Sequence, residues 1–248
     1  MASTVYLITG ASRGIGRALT ESFIARPNTT VIAGVRDPNG DNSKSLENLP
    51  KGDTSHLITV RIDSKAFSDA ATAVETLKNH HNITHIDVVI ANAGICETPS
   101  PVLTTSLDVL REHIDVNTFG PLVLFQATYP LLIKSKKPVF VGVGSAMGSI
   151  GGMEQRPWSN TAYGLSKVML HYMVRKIHFE NEGVVSFVAD PGFPQTDMGQ
   201  TSARHIGLDK AYHTVEETVK GVVKAIDGAT RDSVGGQMRV WDESYFPW

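Results

Sequence analysis

The sequence predicts an α/β fold: a single domain, spanning residues 1–248, in which helices cover both faces of a doubly wound parallel sheet of seven strands. Three observations predict it. Seven short apolar runs rich in β-branched residues alternate with longer segments of helical periodicity. Crossover segments of that length join strands that run in parallel. Apolar residues make up 41% of the chain, which is enough for one large core.

Short apolar runs predict the strands, because β-branched side chains fit a buried pleated surface. These runs are Thr4–Thr9, Thr30–Val35, His56–Ile62, Ile86–Ala91, Pro138–Val143, Val184–Ala189 and Gln237–Val240. Apolar residues spaced three and four positions apart predict the helices between them. These segments are Gly14–Ala25, Lys65–Asn79, Leu107–Lys134, Ala162–Glu180 and Val215–Asp227. The longest apolar stretch, residues 121–133, is shorter than the roughly 20 residues that span a bilayer, so no membrane segment is predicted.

Composition and charge exclude several classes of function. The net charge of −2, with no basic block along the chain, argues against nucleic acid as a partner. Cys96 is the one cysteine, which rules out an internal disulfide and favours a reducing, cytoplasmic compartment. The densest histidine cluster, His80, His81 and His85, shares its polar segment with no cysteine or acidic ligand, so no metal site is predicted.

The first predicted strand leads directly into a glycine-rich motif, Thr9-Gly10-Ala11-Ser12-Arg13-Gly14-Ile15-Gly16, and a helix is predicted to follow at once. Glycines there let the backbone turn tightly and approach a pyrophosphate, whose charge binds the free N–H groups of the helix N-terminus. A tight strand-to-helix turn without a ligand is the alternative. The position after the first strand favours a dinucleotide site of the Rossmann type.

The end of the second predicted strand indicates which dinucleotide would bind. NAD enzymes place an acidic side chain there, on the ribose 2′-hydroxyl, but this chain has Val35 and then Arg36. Arg36, with Arg13 in the glycine loop, would attract a 2′-phosphate through charge-assisted hydrogen bonds. The alternative is that Arg36 is solvated or pairs with Asp37. The sequence therefore favours NADP.

Tyr163 and Lys167 lie four residues apart on a predicted helix, so they share one face, and the ammonium group is close enough to stabilise a phenolate. The pair alone is weak evidence for a site, but two strand ends strengthen it. Ser145 follows the fifth strand, and Asn92-Ala93-Gly94 follows the fourth. Both therefore belong to the sheet edge that carries the glycine motif.

Together with these motifs, further residues make the chain resemble the short-chain dehydrogenase/reductase family in its compact, single-domain form. The matching features occur in the family's order across almost the whole chain: Thr9–Gly16, Asp63, Asn92-Ala93-Gly94, Asn117, Ser145, Tyr163-Gly164-Leu165-Ser166-Lys167, Pro191-Gly192 and Thr196. The resemblance implies a nicotinamide cofactor, here NADPH. The residues expected to bind it are Gly10, Ser12, Arg13, Gly14, Ile15, Gly16, Arg36, Asp63, Ser64, Asn92, Ala93, Gly94, Tyr163, Lys167, Pro191, Gly192 and Thr196.

The resemblance also implies a catalytic tetrad of Asn117, Ser145, Tyr163 and Lys167. Tyr163 would protonate a substrate carbonyl, and Lys167 would lower the tyrosine pKa toward neutrality and bind the nicotinamide ribose. Ser145 would orient the carbonyl and stabilise its developing charge. Asn117 would hold a water that links Lys167 to solvent. Alternatively, Asn117 is a polar residue in a helix interior, bonded to backbone.

The other matching residues have implied roles in the cofactor site. Asp63 should meet the adenine amino group, although it could instead cap the helix that is predicted to follow. Asn92 should brace the central sheet. Thr196 and the Pro191-Gly192 turn should meet the carboxamide.

Seventeen residues separate Ser145 from Tyr163, several more than is commonest in the family, which predicts an extended loop beside the catalytic groups. We expect the substrate to bind around residues 146–162 and 193–212. Aromatic and thioether side chains there favour a flat, apolar ligand. Packing in the core or in a subunit interface is the alternative for Trp158 and Phe193. The expected substrate residues are Met153, Trp158, Phe193 and Met198.

Within the family, the stretches 27–33 and 35–38 are similar to fungal ketoreductases of aromatic polyketide pathways, the norsolorinic acid type. The expected function is therefore an NADPH-dependent ketoreductase that reduces a small-molecule carbonyl compound, bulky and aromatic. Two alternatives stay open: a non-redox activity such as cyclisation or dehydration, and a sensor that only binds the dinucleotide. We also expect a homodimer or homotetramer, formed through the predicted helices 107–134 and 162–180.

Overall fold

A seven-stranded sheet forms the centre of the computed structural model, which describes residues 3–97 and 99–248. The strands are β1 (Thr4–Thr9), β2 (Thr29–Val35), β3 (His56–Arg61), β4 (Val88–Ala91), β5 (Val139–Val143), β6 (Val185–Asp190) and β7 (Met238–Val240). Their spatial order is β3-β2-β1-β4-β5-β6-β7, and every neighbouring pair is parallel. The predicted fold class is confirmed.

Helices cover both faces of this sheet. They are α1 (Gly14–Ile24), α2 (Asp41–Lys44), α3 (Asp69–His81), α4 (Leu107–Ile114), α5 (Gly120–Leu132), α6 (Thr161–Glu180), α7 (Asp197–His205) and α8 (Val215–Asp227). Buried side chains of α1 and α8 pack on one face, and those of α3, α5 and α6 pack on the other. Among the residues that the structure describes, no helix is both long and apolar enough to cross a membrane.

Each face of the sheet buries its own apolar layer, because parallel strands are covered on both sides. β2 shows this directly, since all seven of its residues are buried. One layer contains Leu19 and Phe23 of α1 and Val222 of α8. The other contains Leu77 of α3 and Leu170 of α6. The two layers hold the strand ends in fixed positions, so that the loops after them can carry a site.

The strand order reverses at the centre of the sheet, because β1 pairs with β2 on one side and with β4 on the other. Chain crossovers run in opposite directions from this point, which leaves a crevice outside the carboxyl ends of the strands. The loops after β1, β4, β5 and β6 border that crevice. The motifs singled out in the sequence lie on these loops, on the loops after β2 and β3, or on a helix next to them.

The helix predicted over Leu107–Lys134 is confirmed as a continuous helical segment that ends at Leu132, but it is not α-helical throughout. A π-helical turn at Asp115–Phe119 joins α4 to α5, and the N–H of Gly120 bonds to the carbonyl of Asp115, five residues back. Pro121 follows at the start of α5 and carries no N–H, so it cannot make the ordinary helical bond to the carbonyl of Asn117. The wide turn therefore falls on Asn117, and such turns are frequent at functional sites.

The start of α3 also differs from the prediction. The helix begins at Asp69 rather than at Lys65, because residues 63–66 form a separate turn. Two helices, α2 and α7, were not predicted at all. They are short and polar, so apolar periodicity does not mark them.

Candidate active site

One cavity of about 1220 Å³ lies at the carboxyl ends of the strands. Ordinary ligand pockets measure roughly 300–1,000 Å³, so this cavity has room for a dinucleotide and a second molecule. Of the residues predicted to bind the cofactor, Gly16 alone does not line it; those that do are Gly10, Ser12, Arg13, Gly14, Ile15, Arg36, Asp63, Ser64, Asn92, Ala93, Gly94, Tyr163, Lys167, Pro191, Gly192 and Thr196.

The glycine loop after β1 depends on backbone conformations that favour glycine. Gly10 has φ +65° and Gly14 has φ +54°, both in the left-handed region. Gly16 lies beneath the loop, where a Cβ atom would be 2.5 Å from Nδ2 of Asn92 and would overlap the carbonyl oxygen of Gly10. Any side chain at Gly16 would therefore push the loop outward.

The N-terminus of α1 points into this loop without a cap. Arg13, the residue before the helix, has an extended backbone and its side chain makes no capping hydrogen bond. The first turn contains no acidic residue. The N–H groups and the positive end of the helix dipole are thus left for an anion. A pyrophosphate fits this cradle.

Asn92 ties β4 to β1 beneath the glycine loop. Its Nδ2 donates to the carbonyl of Thr9 at 2.8 Å, and its backbone N–H donates to Oγ1 of Thr9 at 3.1 Å. The N–H of Ala93 donates to the same hydroxyl at 3.1 Å. These bonds fix the spacing of the two central strands where the order of the sheet reverses.

Arg36 is exposed on the cavity wall where β2 ends. Within residues 3–97 and 99–248 it forms no ion pair, so the alternative pairing with Asp37 is not seen. Oδ1 of Asp37 instead accepts the N–H of Asn39 at 2.9 Å. Arg13 lies 3.9 Å from Asp197 through two exposed side chains, which is a weak pair in water. Two cations are therefore accessible on this wall.

Asp63 and Ser64 follow β3 and line the cavity. Oδ1 of Asp63 accepts the N–H of Lys65 at 3.0 Å, which closes a local turn. Asp63 is therefore not the cap of α3, and that alternative is wrong, because Ser68 occupies the N-cap position. Ser64 packs closely on Gly120, since a Cβ added at Gly120 would lie 2.7 Å from the Cβ of Ser64.

Tyr163 and Lys167 lie one turn apart on α6, as their spacing predicted. Nζ of Lys167 is 5.6 Å from the centre of the Tyr163 ring and donates to the carbonyl of Val143 at 2.8 Å. Lys167 is 4% exposed. Burial lowers its pKa to about 8, against the opposing effects of Cys96 and Asp190. The side chain therefore still carries its proton at pH 7.

The Tyr163 phenol is also protonated at neutral pH. Loss of solvent raises its pKa above the ordinary value, and a hydrogen bond with Ser145 acts in the opposite direction. The predicted shift of this pKa toward neutrality is not seen, because the effect of burial is larger than that of the neighbouring groups. A protonated phenol is the form that a general acid needs.

Ser145 begins a tight turn after β5. Its Oγ accepts the N–H of Met147 at 3.2 Å and caps a short 3-10 helix, Ala146–Gly148. Its backbone N–H donates to Nε2 of His171 at 3.3 Å, and Nδ1 of the same ring bonds to the carbonyl of Gly148 at 3.1 Å. Burial lowers the pKa of His171 to about 3, so the ring is neutral and serves to hold the turn.

Asn117 is fully buried in the π-helical turn and does not line the cavity. Its Oδ1 accepts the N–H of Ile95 at 2.8 Å, and its Nδ2 donates to the carbonyl of Ile95 and to Oγ of Ser166, both at 2.9 Å. These bonds match the alternative of a polar residue bonded to backbone. The predicted role of Asn117 in holding a water stays a prediction.

The loop after β6 approaches the glycine motif from the other side of the crevice. Gly192 has φ +70°, and a Cβ there would lie 2.6 Å from the indole nitrogen of Trp241. Oγ1 of Thr196 accepts the N–H of Gly199 at 3.1 Å and caps α7. The methyl group of Thr196 faces Gly14, at 3.3 Å from the position of an added Cβ. Its hydroxyl is therefore already used in a helix cap.

Three of the four predicted substrate residues line the cavity, namely Trp158, Phe193 and Met198. Met153 does not, and its predicted place in the pocket is wrong. It is 59% exposed, whereas Gln155 of the same 3-10 turn lines the cavity.

Further residues of the substrate region were missed, among them Met147, Tyr212 and Phe246, which also line the cavity. Tyr212 stands at the end of the predicted region 193–212 and packs edge-to-face on Phe193, with ring centres 5.6 Å apart. Its aromatic ring was a usable signal. Phe246 comes from the C-terminal tail, which bonds to the loop after Ser145 through the carbonyls of Pro247 and Trp248. No local pattern indicates that approach.

Cys96 lines the cavity on the loop after β4. Burial raises the pKa of its thiol, and Sγ lies 3.8 Å from Oγ of Ser202. A neutral, half-buried thiol is a small apolar filler rather than a nucleophile.

Comparisons with known proteins agree with this geometry. Residues 4–207 match the family described as short chain dehydrogenase. The norsolorinic acid ketoreductase of Dothistroma septosporum is 46% identical, over 99% of this chain and 92% of that protein. The norsolorinic acid ketoreductase of Emericella nidulans is 44% identical, over 99% of this chain and 94% of that protein.

A solved structure shares the whole fold. The NADPH-bound carbonyl reductase from chicken fatty liver superimposes with a TM-score of 0.87 over all of both chains, at 26% identity.

Proposed function

Because the chain belongs to the short-chain dehydrogenase/reductase family and is an oxidoreductase of that family, we propose that it is an NADPH-dependent ketoreductase. One observation carries the proposal. Tyr163, Ser145 and Lys167 line the same continuous cavity as the glycine loop after β1. A cofactor at the loop and a carbonyl compound beside Tyr163 can therefore occupy the same cavity.

The side chains supply the proton and the electrostatic stabilisation. When bound, NADPH supplies the hydride for the carbonyl carbon. Tyr163 donates its proton to the carbonyl oxygen, since its phenol is protonated at neutral pH. Ser145 donates a hydrogen bond to the same oxygen, because the N–H of Met147 holds its Oγ in place and its O–H can turn from Tyr163 to the substrate. The product is an alcohol.

Lys167 stabilises the phenolate that forms as Tyr163 gives up its proton. Its ammonium group is fixed beside the ring by the bond to the carbonyl of Val143, and a pKa of about 8 keeps it charged at neutral pH. Asn117 acts indirectly, as a positioning residue that does not contact the substrate. Through Ile95 and Ser166 it joins the loop after β4 to α6, and so positions the helix that carries both catalytic groups.

The proposed cofactor is NADPH rather than NADH. Arg36 and Arg13 present cations on the cavity wall, and charge-assisted hydrogen bonds from guanidinium groups suit a phosphate. The neighbouring carboxylate, Asp37, already accepts a hydrogen bond from the N–H of Asn39. It is therefore less available to bind a ribose hydroxyl, as the acidic residue of an NAD enzyme does. The chicken carbonyl reductase, a structural relative, is described as NADPH-bound.

The proposed substrate is a bulky ketone of the aromatic polyketide type. Four aromatic side chains line the substrate end of the cavity: Trp158, Phe193, Tyr212 and Phe246. Flat aromatic ligands gain both buried area and ring-to-ring contacts in such surroundings. Relatives that align with nearly the whole chain are named for one such substrate, norsolorinic acid.

The experiment that tests this function follows NADPH oxidation by the purified chain. An anthraquinone- or naphthalenone-type ketone is compared with a small aliphatic keto acid, and the alcohol is identified by chromatography. We expect one alcohol per NADPH oxidised and a higher kcat/KM for the aromatic ketone.

Each other outcome favours a different function. A new product without NADPH oxidation supports the non-redox alternative, and NADPH binding without any turnover supports a sensor. Preference for the keto acid removes the aromatic substrate while the reductase function stands.

We further propose that two copies of the chain pair through α6. The assembly would be either this homodimer or a homotetramer that contains two such pairs. Leu165, Met169 and Tyr172 are 46%, 38% and 69% exposed and recur on one face of this helix. A symmetric contact would cover that apolar stripe. Light scattering at micromolar concentration should give a dimer or tetramer, and a monomer mass overturns the proposal. The assembly is proposed for the cytoplasm, where Cys96 stays reduced.

A further inference from the structure

A buried carboxylate, Asp190, ends β6 directly before the Pro191-Gly192 turn. It is 2% exposed. In the part of the chain that the structure describes, no basic side chain is within ion-pair distance of it. A buried charge without an ion pair is retained only where hydrogen bonds replace the lost water. Asp190 therefore needs strong hydrogen-bond donors.

Backbone N–H groups from two different loops supply those donors. Oδ1 of Asp190 accepts the N–H of Gly192 at 2.9 Å, and Oδ2 accepts the N–H of Ala146 at 3.0 Å. Gly192 belongs to the loop after β6, whereas Ala146 follows Ser145 in the turn after β5. One side chain thus joins two loops that line the same cavity.

The two bonds require two oxygen atoms that both accept. Each oxygen of a carboxylate can accept an N–H, but an amide of the same size has one acceptor and would turn a donor toward the second N–H. Burial raises the pKa of Asp190, while the two backbone bonds and the charges of Arg156 and Lys167 act in the opposite direction. The geometry of the bonds therefore depends on a chemical property that asparagine lacks.

We propose that Asp190 is a positioning residue for the Ser145 hydroxyl. By holding Ala146, it fixes the turn in which Oγ of Ser145 accepts the N–H of Met147, and so fixes where the Ser145 hydroxyl meets the substrate. This inference rests on the proposed ketoreductase function, because it is in that reaction that Ser145 contacts the carbonyl. His171 holds the same turn from α6. Loss of Asp190 should therefore loosen the turn rather than unfold it.

The test compares two aspartate-to-asparagine variants. Asp190→Asn removes one acceptor at almost constant size. The matched control is Asp87→Asn, because Asp87 also accepts a backbone N–H, from Val5 at 2.8 Å. Asp87 lies just before β4, at the end of the sheet where the strands begin, and so away from the cavity. We expect Asp190→Asn to lower kcat about tenfold, the scale of one hydrogen bond. The NADPH Kd should change less than kcat, and Asp87→Asn should leave kcat unchanged.

A double-mutant cycle with Ser145→Ala separates positioning from a general loss of structure. If Asp190 acts through the Ser145 hydroxyl, Asp190→Asn has little further effect on kcat once that hydroxyl is gone. An equal fall in kcat in the wild-type and Ser145→Ala backgrounds overturns the proposal.

Amide hydrogen exchange gives a second readout, which needs no turnover. Residues 144–149 should exchange faster in Asp190→Asn than in the wild type, and unchanged exchange there overturns the proposal. If the asparagine variant does not fold, Asp190→Ser is measured in its place. Loss of the fold in both variants assigns Asp190 to stability alone and also overturns it. If the wild type reduces no carbonyl compound, the proposed function fails, but the exchange experiment still decides whether Asp190 holds this turn.

Discussion

The cavity has a cofactor half, made by the glycine loop with Arg36, and a substrate half, made by residues 146–162 and 193–212 with the C-terminal tail. The two halves are built in different ways. Backbone conformation makes the cofactor half, as the left-handed Gly10 and the tightly packed Gly16 show. Side chains from three separate segments make the substrate half. Local sequence therefore specifies the first, and tertiary packing specifies the second.

Substitution of Tyr163, where the two halves meet, should have the largest effect. Tyr163→Phe removes the proton donor while the ring keeps its packing. We expect kcat to fall by about 10²- to 10⁴-fold, the usual contribution of a general acid, with the NADPH Kd unchanged. Steady-state kinetics and a fluorescence titration measure the two quantities. Near-wild-type turnover would assign the acid to another group.

The cofactor half could be predicted from the sequence because each of its requirements is local. Gly10 and Gly14 meet a conformational need that few other residues satisfy, and both directly follow a strand whose position the apolar run predicts. Arg36 is equally local, since it stands at the end of β2. Gly16 shows the limit of such reasoning. It supports the loop from beneath rather than lining the cavity, which spacing does not reveal.

The next largest effect should come from a methyl group in the cofactor half. In Gly16→Ala, the new Cβ overlaps Gly10 and Asn92 and pushes the loop outward. Overpacking of this kind costs about 1–3 kcal/mol, so we expect NADPH affinity to fall about thirtyfold. The control is Gly183→Ala, where an added Cβ meets nothing within 4 Å. Unchanged NADPH binding in Gly16→Ala would mean that backbone shape is not what makes this half.

A charge change in the same half should have a smaller and more selective effect. Arg36→Asp replaces a partner of the 2′-phosphate with a repulsive charge. A charge-assisted hydrogen bond is worth roughly 1.5–3 kcal/mol, so NADPH should bind at least about tenfold more weakly, while NADH binds as well as before or better. Titrations with both cofactors measure this. Equal losses for the two would contradict contact with the phosphate.

Only the approximate regions of the substrate half could be predicted, because its residues come from segments that are far apart in the sequence and meet only in the folded chain. Met153 and Trp158 are both large apolar residues of the same predicted loop, yet Met153 faces solvent and Trp158 lines the cavity. Phe246 reaches the cavity through bonds between the C-terminal tail and the loop after Ser145. The place of Asn117 in a π-helical turn could not be predicted either, because the continuous apolar pattern does not reveal the turn that precedes Pro121.

Truncation of one wall of the substrate half should have the smallest effect, and one confined to the substrate. Phe193→Ala removes a ring that packs on Tyr212 and lines the cavity, far from the glycine loop in sequence. The cavity is large and several aromatic rings share its wall, so we expect the KM for an anthraquinone-type ketone to rise about three- to tenfold, corresponding to roughly 1 kcal/mol of lost aromatic contact.

The matched control for Phe193→Ala is Met153→Ala, because Met153 belongs to the same predicted set but is exposed outside the cavity. Its KM should equal that of the wild type. A small aliphatic keto acid should be insensitive to both substitutions, since it is too short to contact an aromatic wall and Tyr163 together. If Phe193→Ala instead weakens NADPH and leaves the aromatic ketone unaffected, the ring belongs to the cofactor half, and the division between a backbone-built and a side-chain-built half fails at that residue.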